Sequence, residues 1–192
     1  MVGKDFKKEY EGASHLFYGR KKILKKDMQV HRTCFMVNIM ANTYSQVNIH
    51  AVFSVKGRKN LISESLMDEL CKVISGKLLE KKQYPLAVGG YKDHIHVFFE
   101  LTMTITIAEI MDIVKTNSSK WINDNRKISS HFEWQKGYAA FSYSKSQRDN
   151  VIKYIIGQKD HHKKKTFREE YMELLKKFEI KYEDAYLFEF YE

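Results

Sequence analysis

Every second residue from Ile95 to Leu101 is apolar, whereas three of the four residues between His94 and Glu100 on the other face are polar, and this alternation constrains the fold more than any other feature of the chain. Successive side chains of a β-strand point to opposite faces. One face of this strand is wholly apolar and consists of Ile95, Val97, Phe99 and Leu101. Such a face has to be buried against another layer, so the segment predicts a central strand of a sheet that is covered by helices.

The same kind of pattern predicts the other elements. A first strand follows Gln46, because alternate residues from Val47 to Val55 are apolar, and a loop follows at 57–60. Further strands are predicted at Leu86–Val88, ahead of a turn or bulge at Gly89-Gly90, and at Phe132–Tyr143. The first predicted helix begins at Ser63 and ends before Tyr84-Pro85, and the second begins at a capping box of Thr106 and Glu109 and extends to Trp121. A third helix is predicted from Ser144 or Ser146 to about Lys159. A fourth begins at a capping box of Thr166 and Glu169 and extends to about Phe178.

The order of these elements predicts the fold class. Strands and helices follow one another as βαββαβα, and one more helix follows at the C-terminus. This order favours an α+β protein of the ferredoxin-like or split βαβ kind, with one antiparallel sheet and helices on one face. The tail from Ala185 to Tyr191 is a candidate for a short edge strand.

The first 39 residues differ from the rest of the chain. They are charged and have no clear periodicity, whereas Met40 leads directly into the first strand. We therefore expect one domain at residues 40–192, preceded at 1–39 by an extension or by the product of an upstream start. A basic arm that contacts DNA is the alternative.

The charge of the chain points to an anionic partner. The net charge is +9, with 33 Lys and Arg against 24 Asp and Glu. Lysines cluster at two places, namely Lys21, Lys22, Lys25 and Lys26, and Lys163, Lys164 and Lys165. Clusters of this kind are typical of proteins that bind nucleic acid or a membrane surface, and a merely solvated surface is the alternative.

Two further features bear on the environment of the protein. No apolar run approaches the ~20 residues that a membrane helix needs. Cys34 and Cys71 form neither a CxxC motif nor a disulfide framework. We therefore expect a cytoplasmic protein that has no membrane partner.

His94 and His96 lie two residues apart on the second face of the central strand. Residues at this spacing are about 6.5–7 Å apart along a strand, and their rings can converge on one ion. Neutral imidazole is a common metal ligand, but a third group must come from elsewhere. Asp93 and Glu100 are candidates to orient the imidazoles. Polar residues on a half-exposed strand are the alternative.

Tyr154 and Gln158 lie on the third predicted helix. The apolar stripe of this helix consists of Val151, Ile152, Ile155 and Ile156. Tyr154 and Gln158 are four residues apart and therefore neighbours at its margin. Tyrosine is a nucleophile in covalent catalysis, and the carbonyl of Gln158 can supply a third metal ligand. A boundary aromatic beside a solvated amide is the alternative.

These motifs resemble a known family when they are taken together. His94-Ile95-His96 ahead of an apolar strand resembles the HUH motif, in which U is hydrophobic. Tyr154 and Gln158 resemble the nucleophile helix of the single-tyrosine HUH transposases, the transposase A enzymes of the insertion-sequence two-hundred family. The similarity extends from about Met40 to the end, and further similar segments are Gln46–Arg58, Trp134–Ser142 and Gln158–His162.

The resemblance implies a fold and a reaction. The fold would be an RRM-like sheet with helices on one side, and the enzyme a homodimer acting on single-stranded DNA at hairpin-bearing ends. His94, His96 and Gln158 would hold Mg²⁺ or Mn²⁺. Tyr154 would attack a phosphodiester, leaving a 5′-phosphotyrosine link and a free 3′-hydroxyl. Because one phosphodiester replaces another, no nucleotide cofactor is implied.

Basic residues on two segments are candidates for DNA contact. Lys56 and Arg58 resemble family positions on the first strand and its loop, as does His50, for which structural polarity is the alternative. The second group of candidates consists of His161, His162, Lys163, Lys164 and Lys165. This group is equally compatible with favourable cations at the C-terminus of a helix.

Two other functions remain open at this level. A non-catalytic single-strand binder would stack bases on exposed aromatic residues of an RRM-like sheet, such as Phe98, Tyr138 and Tyr143. A metal-dependent hydrolase would use the histidine pair to activate water and would form no covalent intermediate.

Overall fold

The structure is a computed structural model, and it describes residues 44–183 and 187, apart from the side chain of Arg58. The elements in chain order are β1 (Val47–Ser54), α1 (Glu64–Glu80), β2 (Tyr84–Tyr91), β3 (His94–Leu101), α2 (Ile107–Asp124), β4 (Ala139–Tyr143), α3 (Arg148–Ile156), α4 (Gln158–His161) and α5 (Phe167–Lys177). Short 3₁₀ turns lie at Lys56–Arg58 and Lys145–Gln147.

The four strands form one sheet in the order β2-β3-β1-β4, and all neighbouring pairs are antiparallel. This order, together with the sequence βαββαβ, is the ferredoxin-like arrangement. The predicted fold class is therefore confirmed, and β3 is a central strand as predicted.

The apolar face of the sheet packs against α1 and α2. Ile95, Val97 and Phe99 of β3 belong to one buried cluster with Leu70 and Ile110 of the helices. All five side chains are fully buried. The alternation in the sequence thus predicts the correct inward face, and these two helices lie on one face as expected.

The opposite face is covered as well, by α3 and α5. Val52 and Phe98 of this face form a second buried cluster with Val151 and Ile155 of α3 and with Leu174 of α5. The C-terminal helices therefore add a layer on the face that carries both histidines. This layer decides the surroundings of the candidate site.

The helix starts agree with the capping residues in the sequence. The Ser63 hydroxyl accepts a hydrogen bond from the amide of Leu66 at 3.2 Å. Thr106 with Glu109 and Thr166 with Glu169 form reciprocal capping boxes at the starts of α2 and α5.

The chain departs from prediction in β2. Gly89 and Gly90 lie inside this strand rather than in a turn, and the turn falls at Lys92 and Asp93. The bulge of β2 lies between Pro85 and Ala87. Glycine is needed at position 89 because α3 packs directly on it.

The strand predicted over Phe132–Tyr143 is much shorter in the structure. Only Ala139–Tyr143 forms β4, although Trp134 makes an isolated bridge with Val55. Both backbone groups of Phe132 are bound by the side chain of Asn123, at 2.9 Å each. These contacts replace strand pairing there.

The helix predicted to reach Lys159 is divided at Gly157. Tyr154 lies on α3, whereas Gln158 begins the short α4. Ile156 is 57% exposed, so the prediction that it belongs to the buried stripe is wrong. Val151 and Ile155 are buried as predicted.

Two predictions fall outside this description. Residues 1–39 lie outside the described residues, and so does the tail strand at 185–191 apart from Leu187. Among the described residues, every helix is too short or too polar to span a bilayer.

Candidate metal and nucleophile site

The two strand histidines lie beneath the C-terminal helices. His94 and His96 are fully buried on the face of β3 that α3 and α5 cover. Within the sheet, His96 pairs with Gly89 of β2 and with Val52 of β1. The absence of a side chain at Gly89 lets α3 approach, and this brings Tyr154 to the histidines.

His94 is held in one orientation. Its Nδ1 lies 2.7 Å from Oδ1 of Asp93, and its ring stacks on Phe167 at 4.1 Å between centroids. A carboxylate can only accept a hydrogen bond, so Nδ1 carries the proton and Nε2 keeps its lone pair. That Nε2 lies 3.4 Å from Oε1 of Gln158 and 3.1 Å from Nε2 of His162. Of the two orienting carboxylates predicted, Asp93 contacts the pair directly.

His96 has a different partner. Its Nδ1 lies 2.9 Å from Nε2 of His50 on β1, and the two rings stack at 5.1 Å. The Nε2 atom of His96 is buried without a hydrogen-bond partner among the described residues. It faces Oε2 of Glu170 at 3.6 Å. His50 therefore contacts the site through His96.

Glu170 of α5 occupies the centre of the site. Its Oε1 accepts hydrogen bonds from the hydroxyl of Tyr154 and, at 2.7 Å, from Nε2 of Gln158. Its Oε2 lies 3.1 Å from Nε2 of His162 and 3.7 Å from Nε2 of His94. The carboxylate thus connects the tyrosine to the histidines.

Glu170 was not among the candidates from the sequence. The buried residues of α5 are Phe167, Glu170, Tyr171, Leu174 and Leu175. An acidic residue at helical spacing within such an apolar stripe is the signal that could have found it, because a buried charge needs a partner. Its neighbour Glu169 belongs to a recognisable capping motif, whereas Glu170 belongs to none.

Tyr154 lies next to the histidines of its own chain. Besides its bond to Glu170, its ring meets His96 edge-on at 5.7 Å and His50 at 6.2 Å between centroids. The structure therefore brings together all four residues that the sequence singled out: Tyr154, His94, His96 and Gln158.

Burial governs the protonation states here. It lowers the pKa of His94 to about 4 and holds the pKa of His50 well below its usual range. Burial also raises the pKa of Tyr154, and the charge of Glu170 raises it further. For Glu170, burial acts to raise the pKa, but the histidines, with His96 foremost, outweigh it and lower the pKa. His94 and His50 are therefore neutral imidazoles, Tyr154 is a protonated phenol and Glu170 is a carboxylate.

Three side chains of the site have the geometry of metal ligands. One ligand atom each of His94, His162 and Glu170 lies within 4.8 Å of the other two. Gln158 presents its carbonyl oxygen to the same Nε2 of His94. Imidazole, carboxylate and amide groups suit Mg²⁺, Mn²⁺ or Zn²⁺.

A cavity of about 310 Å³ opens beside the tyrosine. Tyr154, His161 and Glu170 contribute to its wall, as do the exposed residues Asn150 and Lys177. The cavity reaches Tyr154 from outside, whereas the histidines of β3 remain covered.

The predicted DNA-contact residues fall into two groups. His162 is nearly buried inside the site, its side chain 3% exposed, and His161 lies half-buried beside Glu170 at 3.5 Å. Lys163 and Lys164 are exposed, and Lys163 pairs with Asp160 at 2.6 Å.

The remaining basic candidates lie near the surface. Lys165 pairs with Glu173 at 2.6 Å. Lys56 is exposed and pairs with Glu133 at 2.5 Å. The backbone of Arg58 ends the first 3₁₀ turn, but its side chain lies outside the described part of the chain.

Solved structures with a similar fold include two transposases. A candidate transposase from Deinococcus radiodurans has a TM-score of 0.52 at 15% identity, covering 64% of this chain and 98% of that one. A REP-associated tyrosine transposase, bound in that structure to a REP hairpin, has a TM-score of 0.48 at 11% identity, covering 66% and 74% of the two chains.

Comparison with curated proteins gave no match. A family profile, by contrast, covers more than half of the chain. The profile is described as "Transposase IS200 like" and matches residues 43–158, which include β1 to α3 and the start of α4. The match contains the strand histidines, Tyr154 and Gln158. The chain therefore belongs to the IS200-like transposase family.

Proposed function

We propose that this protein cleaves and rejoins single-stranded DNA with Tyr154 as nucleophile, at a divalent metal ion held by His94, His96 and Gln158. The products of cleavage are a 5′-phosphotyrosine link and a free 3′-hydroxyl. Two chains act together as a homodimer, since a mobile element has two ends and each chain offers one such site.

One observation carries this proposal. The hydroxyl of Tyr154 and the Nε2 atoms of both strand histidines face the same carboxylate, that of Glu170. A phenol, two imidazoles and a carboxylate therefore lie together within one chain, and this arrangement supports their roles as nucleophile, metal ligands and proton acceptor. Membership of a transposase family supports the assignment of this arrangement to DNA strand transfer.

The residues of the site fit a divalent ion. Nε2 of His96 and Oε2 of Glu170 are buried and lack hydrogen-bond partners among the described residues. Buried polar atoms are normally paired, so these two orphans favour a missing cation. A bound ion would polarise the phosphate oxygens and so lower the barrier to attack.

The chain's own residues account for the proton of the nucleophile. Because its pKa is raised, Tyr154 is a phenol until it attacks. Its proton already points at Oε1 of Glu170, which can accept it while the phenol oxygen bonds to phosphorus. The bond from phosphorus to the 3′-oxygen breaks, and the departing oxygen takes up the proton. Rejoining is the reverse.

Access and charge are compatible with a DNA strand. The cavity beside Tyr154 leads to the phenol, and exposed Lys163 and Lys164 lie on the segment that follows α4. The net charge of +9 favours a polyanionic substrate. We infer that the strand enters along this cavity with its scissile phosphate at Tyr154.

The non-catalytic alternative is weakened by the structure. It needs exposed aromatic residues on the sheet, but Phe98 is fully buried and Tyr143 only 8% exposed beneath the C-terminal helices, which leaves Tyr138 as the one partly exposed ring of the three. Bases cannot stack on covered rings. The hydrolase alternative remains as an outcome of the experiment below.

The experiment uses a single-stranded library with a randomised centre, labelled at either the 5′ or the 3′ end, and Mg²⁺. We expect an SDS-resistant protein adduct that carries the 3′ label, while the 5′-labelled fragment is released. Cleavage without any adduct would indicate hydrolysis, and no cleavage would contradict the proposal.

The matched control is a second tyrosine of the same cavity. Tyr154→Phe should eliminate the adduct, whereas Tyr143→Phe, which changes another phenol lining that cavity, should retain it. An adduct that persists in Tyr154→Phe would overturn the assignment of the nucleophile.

A further inference from the structure

Three atoms of the site face one another, namely Nε2 of His94, Nε2 of His162 and Oε2 of Glu170. Nδ1 of His162 lies 2.9 Å from the carbonyl oxygen of Lys165, and Nδ1 of His94 lies 2.7 Å from Oδ1 of Asp93. Both partners can only accept, so both rings carry a proton on Nδ1. In the neutral form of each ring, Nε2 therefore presents a lone pair.

These lone pairs meet each other and a carboxylate oxygen. The Nε2 atoms of His94 and His162 are 3.1 Å apart, and Oε2 of Glu170 lies 3.7 and 3.1 Å from them. Three buried acceptors at such distances repel one another. A cation among them converts this repulsion into attraction.

The distances suit one ion. Ligand atoms that each lie about 2.1 Å from a metal are separated by about 3.0–3.5 Å in tetrahedral or octahedral sites. The three separations found here, from 3.1 to 3.7 Å, lie close to that range. Nε2 of His96 also faces Oε2 of Glu170, at 3.6 Å.

The second oxygen of the carboxylate is used differently. Oε1 of Glu170 accepts hydrogen bonds from the hydroxyl of Tyr154 and from Nε2 of Gln158. Glu170 therefore has one oxygen toward the lone pairs of the histidines and one toward the nucleophile.

We infer that Glu170 and His162 are metal ligands together with His94, and that Glu170 bridges the ion and Tyr154, so that metal binding positions the nucleophile. The inference rests on the metal site of the proposed function but changes its ligand set. It also makes α5, which lies beyond the matched family segment, part of the metal centre.

The first test measures Mn²⁺ affinity by calorimetry on the full chain without DNA. Glu170→Gln keeps the shape of the side chain but removes its charge, and we expect affinity at least about tenfold weaker, as for His162→Ala. Glu173→Gln, an exposed acid on the same helix that pairs with Lys165, should bind as the unchanged protein does. Thermal unfolding without metal checks that each variant folds.

The second test asks whether Glu170 connects the metal ion to Tyr154. Tyr154 is replaced by 3-fluorotyrosine, and the ¹⁹F resonance is followed as Mg²⁺ is added. We expect a shift in the otherwise unchanged protein and none in the Glu170→Gln background, even at a Mg²⁺ concentration that saturates this variant.

The outcomes separate this inference from the proposed function. Mn²⁺ affinity unchanged in Glu170→Gln, or no binding by the unchanged protein, would overturn the ligand assignment. A metal-dependent ¹⁹F shift that persists in Glu170→Gln would overturn the bridge. Metal binding as expected, with no DNA adduct from the unchanged protein, would leave the inference standing and refute the proposed function.

Discussion

The carbonyl oxygen of Ile155 lies 2.7 Å from the point that a β-carbon on Gly89 would occupy. Gly89 pairs with His96 in the sheet, and Ile155 follows Tyr154 on α3. The missing side chain at Gly89 of β2 therefore allows α3, the helix of Tyr154, to lie against the sheet beside His96.

Gly89→Ala should move α3 away from the sheet. A methyl group at 2.7 Å from a backbone oxygen cannot be accommodated without displacement. We expect a loss of about 1–3 kcal/mol in the free energy of unfolding, measured by urea denaturation, and a larger relative loss of adduct formation. Gly137→Ala, at a positive φ of 79° with open space around it, is the control that should reduce stability alone. Full adduct formation by Gly89→Ala would contradict this role.

The strand histidines should be needed for cleavage but not for binding. Contacts with phosphates supply most of the affinity for DNA, and His94 and His96 are buried away from the surface. The His94→Ala, His96→Ala double variant should lose adduct formation completely and bind single-stranded DNA within a few-fold of the unchanged protein. Fluorescence anisotropy measures the binding. Cleavage by the double variant would exclude the metal role.

Affinity for DNA should fall log-linearly with salt. Each phosphate contact to a single strand contributes about −0.7 to the slope of log affinity against log salt. Replacing Lys163, Lys164 and Lys165 by Ala should make the slope shallower by about one to two. Ala at Lys72, Lys81 and Lys120, which are exposed on α1, at its C-terminal end and on α2, changes the net charge equally and should leave the slope nearly unchanged. Equal effects of the two triple variants would show that Lys163, Lys164 and Lys165 are not part of the DNA-binding surface.

Asp93 should affect the metal through His94. Its carboxylate accepts the Nδ1 proton at 2.7 Å and so keeps Nε2 free for a ligand bond. Asp93→Asn should weaken Mn²⁺ binding by roughly 10–100-fold, as expected for a residue that orients a metal ligand. Asp124→Asn at the exposed end of α2 should have no effect in the same titration. Unchanged affinity in Asp93→Asn would mean that His94 is oriented by its packing on Phe167 alone.

Active sites should assemble within one chain. Tyr154 contacts Glu170 and the ring of His96 in the same chain. A mixture of Tyr154→Phe protein with His94→Ala, His96→Ala protein should therefore stay inactive after subunit exchange, because every site lacks one component. Partial recovery of the adduct would show that the tyrosine helix crosses between chains.

Local patterns in the sequence were enough for most of the architecture. Alternation specified which face of β3 packs on α1 and α2, and the capping residues specified where α1, α2 and α5 begin. These features depend on neighbours within a few residues, so they can be recognised along the chain. The end of a strand or helix depends on competing contacts, as at Phe132, where the side chain of Asn123 replaces strand pairing.

Local spacing along the chain is enough to put His94 and His96 on one strand face and to make Tyr154 and Gln158 near neighbours. That these two pairs meet depends on the packing of α3 against the second face of the sheet at Gly89. The tertiary structure alone brought in His162 and Glu170, which approach His94 from segments far along the chain. A charged residue on an apolar helical stripe indicates that a partner exists. Which partner it finds depends on how separate elements pack, and no local pattern records that.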